Sequence, residues 1–125
     1  MTTIVLLWLL FALFLKHFII DFPLQFPYQY KNKGTYGHLG GIVHAGNHAV
    51  ATFAILLFVP GVAIGMAFLI AVVELWFHYH IDWAKMNINT RMGWTPTTHE
   101  KFWWLLGFDQ FLHALTYLGI ALFLV

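Results

Sequence analysis

The stretch ELWFHYHIDWAK, residues 74–85, closes a long apolar run and sets Glu74, His78 and Asp82 at four-residue intervals. Residues four apart on a helix share one face, a turn apart. Two carboxylates and an imidazole therefore line one side of an otherwise apolar segment. A charged group at the middle of a bilayer-spanning helix costs ~2.5–3.5 kcal/mol, so that side cannot face lipid. The stretch reads as the inner face of a membrane helix packed against helices of matching polarity.

Composition agrees. Of 125 residues, 61% are hydrophobic and 9% charged, whereas soluble domains carry about 25% charged residues. No cysteine is present, which removes disulfides, thiol nucleophiles and cysteine-based zinc sites. The formal net charge is +1 with no basic stripe, so nucleic acid is not an expected partner. Gly34, Gly37, Gly40 and Gly41 read as a flexible loop and match no phosphate-cradling pattern. The supply of metal-ligating groups is rich for so apolar a chain: eight histidines and five acidic residues.

Apolar segments fall at about residues 3–22, 41–59, 62–85 and 98–125, each near the ~20 residues that cross a hydrocarbon core. Pro60-Gly61 is a tight turn between the second and third. Thr97 and Glu100 offer a capping box at the start of the fourth, and Pro23 is placed to end the first just after Asp21. The first segment lacks a basic n-region and a small-residue cleavage site, so it is expected to stay as a span. Short connections imply antiparallel neighbours. The expected fold is all-α: one polytopic membrane domain, residues 1–125, forming a four-transmembrane-helix antiparallel bundle.

Lys31 and Lys33 lie in the first connection, and Lys85, Arg91 and Lys101 in or beside the third. The positive-inside rule puts those connections in the cytoplasm and both termini outside it, in a bacterial inner membrane. Tyr28, Tyr30, Tyr36, Trp83, Trp94, Trp103 and Trp104 crowd the same side as an interfacial belt.

Each span repeats the four-residue spacing: His17 and Asp21, His44 and His48, the Glu74-His78-Asp82 stripe, and Asp109 and His113. All nine fall in the cytoplasmic half of their helices and are expected to converge. Imidazole and carboxylate projecting inward from facing helices suit divalent metal, one or two ions. The histidine share favours zinc, with iron or manganese also admissible. His48, Glu74, His78, Asp109 and His113 are the expected inner ligands, with Asp21, His44 and Asp82 around them. His38, His80 and His99 read as peripheral, and Ala45 and Gly46 as close-packing residues.

The segments HFIIDFPLQ (residues 17–25), HAGNH (44–48), HYHIDWAK (78–85) and DQFLH (109–113), in this order, resemble the small bacterial and phage membrane proteins grouped as domain of unknown function 3307. YKNKGTYGHLGGIVHA looks particularly like phage-borne members. The resemblance implies a four-helix integral membrane protein whose polar signature is these pairs. It implies no activity.

Function divides three ways. A membrane metal-dependent hydrolase would act on a phospholipid or isoprenoid-phosphate headgroup. Asp21 or Glu74 would be its general base, and Lys31, Lys33, Lys85 and Arg91 would hold the phosphate. Transport of metal or protons is the second reading, disfavoured by the apolar outer half. The third is an interaction protein with a structural metal. Membrane lipid is the expected partner, along with a second copy or a host membrane protein.

Overall fold

A computed structural model describes residues 1–125. The chain is helical without strands: α1 (Thr3–Asp21), α2 (Pro27–Tyr30), α3 (Leu39–Leu56), α4 (Ile64–Met92) and α5 (Glu100–Leu124). The long helices α1, α3, α4 and α5 are each apolar and long enough to cross a membrane. α1 and α4 both pack against α3 and α5. α1 and α4 thus oppose each other across the bundle axis.

The inner faces follow the three-to-four-residue period that buries one stripe of a helix. α1 buries Leu9, Leu13, Lys16, His17, Ile20 and Asp21; α4 buries Ala67, Ile70, Ala71, Glu74, His78 and Asp82 along the same kind of stripe. The end of the bundle holding both termini is filled by Leu9, Leu13, Leu56, Val59, Ala67, Ile70, Tyr117 and Ile120. Outward faces are apolar too, with Phe11, Phe68 and Leu122 exposed. A chain solvated by hydrocarbon keeps its backbone polar groups inside helices and places apolar side chains on both faces.

Helix ends explain the differences from the expected boundaries. α1 stops at Asp21: the Phe22 N–H still bonds back to Phe18 O at 3.2 Å, but Pro23 has no N–H to continue the ladder. α4 continues two turns beyond Lys85 to Met92 and ends where Gly93 adopts φ 65°, the left-handed cap. The Thr97 capping box does not form: α5 starts at Glu100, with His99 in the cap position. Thr98 instead donates its hydroxyl to His99 Nδ1 at 2.7 Å, and the same nitrogen accepts from Thr95 N at 3.3 Å.

The connection between α1 and α3 is built rather than loose. α2 opens with Pro27 at its first position, where a missing N–H is harmless. Gly40 and Gly41 belong to α3 and are buried. A Cβ on Gly40 would come within 2.3 Å of the Tyr28 carbonyl oxygen, and one on Gly41 within 3.1 Å of Lys33 Cα. Gly37 N donates to Tyr79 Oη at 2.7 Å, and the Asn87 amide donates to Gly34 O at 2.9 Å. These contacts strap the connection across the end of the bundle and set Lys33 inside it. Ala45 is fully buried as expected, but Gly46 faces open space.

Candidate metal centre

Four of the five acidic residues, Asp21, Glu74, Asp82 and Asp109, are buried between the long helices, with His17, His44, His48, His78 and His113 among them. Every one of the nine residues singled out by spacing faces inward. Their arrangement has a centre and two flanks.

At the centre, Asp21 Oδ1 lies 3.0 Å from His48 Nε2, 3.1 Å from His44 Nε2 and 3.9 Å from His78 Nε2. His44 Nε2 and His78 Nε2 are 3.2 Å apart. A tetrahedral zinc with bonds near 2.0–2.1 Å separates its ligand atoms by about 3.3 Å. Three of these four separations are close to the edges of such a polyhedron, and Asp21, His44, His48 and His78 form one group able to hold an ion.

Asp82 joins this group to the next. Its Oδ2 stands 3.2 Å from His44 Nε2 and 3.4 Å from His78 Nε2, and accepts from Lys33 Nζ at 3.1 Å. Its Oδ1 points the other way, 3.4 Å from His113 Nε2, which is itself 3.5 Å from Asp109 Oδ1. Asp82, Asp109 and His113 make a second metal-capable group, and His17, His78 and His113 a third. Asp82 Oδ1, Asp109 Oδ1 and His113 Nε2 are all buried and make no hydrogen bond.

The flanks hold the imidazoles in place. Tyr117 Oη is 2.8 Å from His17 Nδ1, and Gln110 Oε1 accepts from His17 Nε2 at 2.9 Å. The Gln110 amide donates to Asp109 Oδ2 at 3.1 Å. On the other side Lys16 donates to Glu74 Oε1, lies 3.3 Å from His48 Nδ1, and covers the Tyr117 ring at 4.7 Å. Outer hydrogen bonds of this kind fix the orientation of ligating imidazoles.

The layout of the expected ligands is rearranged. Asp21 and His44, expected on the outside, sit in the central group, and Asp82, also expected outside, links it to the next. Glu74, expected as an inner ligand, is held by Lys16 and belongs to none of the three groups. Lys16, Gln110 and Tyr117 were not anticipated. Lys16 carried a signal, since a cation within an apolar span marks a functional site by default. Of the residues expected to hold phosphate, Lys33 is buried against Asp82, while Lys31 and Arg91 are exposed. Lys85 is half-buried and pairs with no carboxylate; its ammonium donates to Met86 Sδ at 4.0 Å.

The remaining histidines have local partners. His38 caps α3, accepting from Gly40 N at 2.9 Å. His80 lies 3.0 Å from Tyr36 Oη and donates from Nδ1 to Trp76 O at 2.7 Å.

No curated protein and no solved structure matches the chain. The family model described as "Protein of unknown function (DUF3307)" matches residues 9–125, from the start of the buried stripe of α1 to the end of the chain, and carries all nine inward-facing residues. The chain belongs to the DUF3307 family.

Proposed function

We infer that this protein is a membrane-embedded divalent-metal protein with two adjacent cation positions bridged by Asp82. The observation that carries the reading is the trio Asp82 Oδ1, Asp109 Oδ1 and His113 Nε2: three converging buried atoms without a hydrogen bond. Buried polar atoms are satisfied as a rule, and an unpartnered one calls for an ion or water. Charge balance accounts for one of the two ions. Four buried carboxylates against Lys16 and Lys33 leave two negative charges when the imidazoles are in the neutral form that ligates metal. One divalent cation balances them.

Mixed imidazole and carboxylate donors favour zinc, with iron or manganese compatible. Metal bound here would supply Lewis acidity and an activated water, and the proposed activity is hydrolysis of a lipid-borne phosphate ester. Asp21 Oδ1 already faces three imidazoles, so Asp21 serves as a ligand. Glu74 keeps Oε2 unpartnered and is the carboxylate left to accept a proton. The apolar plug formed by Leu9, Leu13, Leu56 and Ile70 favours a resident ion over a travelling one.

Elemental analysis of detergent-purified protein tests the reading. Metal near one or two ions per chain, with melting lowered by chelator, is the expected result. Metal-free protein whose melting ignores chelator would refute it.

A further inference from the structure

One surface leads from the lipid phase to this cluster. Between α4 and α5 runs an open apolar groove of about 660 Å³, lined by Phe77, Ile81, Leu112, Gly119 and Phe123 among others. A second groove of about 290 Å³ continues it toward the connection end, sharing Phe77, Ile81 and Leu112. The acidic members of the two walls are Glu74 above and Asp109 below, both from the buried cluster. The lower wall also contains Lys85.

We propose that the α4–α5 groove is the seat of one acyl chain of an anionic phospholipid, whose phosphate meets Lys85 beside Asp109. Its upper part runs along α4 from Leu69 to Ile81, about 18 Å at ~1.5 Å per residue. That is a little over half of a ~30 Å hydrocarbon core. The charge order suits such a lipid: apolar walls for the chain, then an ammonium free of any carboxylate at the mouth. Gly119 lines the groove without a side chain, and a Cβ there meets nothing within 4 Å, so a larger residue has room to enter. The seat deepens the metal-centre reading by naming the class of molecule that reaches Asp109, and it rests on that reading for what happens next.

Photolabelling tests it. The full chain is placed in phosphatidylcholine vesicles containing a trace of phosphatidylglycerol with a diazirine in one acyl chain. Label is expected on groove peptides of α4 and α5. It should fall about tenfold in Gly119→Phe, the change from a free to a filled seat. Gly65→Phe, which adds the same ring in open space elsewhere on α4, should leave labelling unchanged. Lys85→Ala should abolish the preference over a matched phosphatidylcholine probe. Metal content, measured in parallel, should be unaltered in all three variants. Label spread evenly over the four spans, or untouched by Gly119→Phe, overturns the proposal. So do cross-links between copies that fill the groove, which would make it a dimer face. Groove labelling in a metal-free parent supports the seat and overturns only the metal reading.

Discussion

Asp82 Oδ1 stands 3.4 Å from His113 Nε2, and neither atom makes a hydrogen bond, although both are buried. The other oxygen of Asp82 faces His44, His78 and Lys33. One carboxylate thus separates two groups of candidate ligands while touching both.

Asp82→Asn keeps the shape of this bridge and the Lys33 contact but removes its charge. Metal affinity is expected to fall by at least the ~10–100-fold typical of lost outer partners, measured as metal retained through graded chelator. Full retention would mean that Asp82 is not a ligand.

The Lys16 and Glu74 pair bridges opposite helices with almost no exposure on either side. Lys16→Met alone should destabilise the bundle by about 3–5 kcal/mol, because it strands a buried carboxylate. The double change Lys16→Met, Glu74→Leu should recover most of that loss. Thermal melting of the two variants in detergent decides it, and equal losses would show that the pair is not coupled.

Gly40→Ala brings a methyl against the Tyr28 carbonyl, a backbone atom with little room to yield. A loss of about 1–3 kcal/mol is expected, visible as a lowered melting temperature. Gly46→Ala, facing open space, should be neutral or slightly stabilising, since alanine is the better helix former.

His80→Gln and His99→Gln should leave metal content at the parent value. Each ring is engaged locally, His80 with Tyr36 and Trp76, His99 with Thr95 and Thr98. Loss of stoichiometric metal in either would move the boundary of the site.

Orientation is testable because the chain has no cysteine of its own. Thr2→Cys should react with an impermeant reagent added outside intact cells, and Arg91→Cys should not, if the basic connections face the cytoplasm.

The amino-acid sequence determined the bundle and the inward faces. Apolar length fixes the spans, and four-residue spacing places His17 with Asp21, or Asp109 with His113, on one side of a helix whatever surrounds it. Local backbone geometry is sufficient for that. Tertiary structure alone decided who meets whom. Lys16 lies one residue from His17 yet reaches across the axis to Glu74, and it takes Glu74 away from the cluster the stripe suggested. Lys33 arrives only because Gly40 and Gly41 let the connection fold onto α3. Asp82 gains its bridging place from the distances between α1, α3, α4 and α5. Helical periodicity gives each side chain a face and a depth, but partners across a bundle depend on helix order, rotation and the close approach of backbones, which no spacing along one chain encodes.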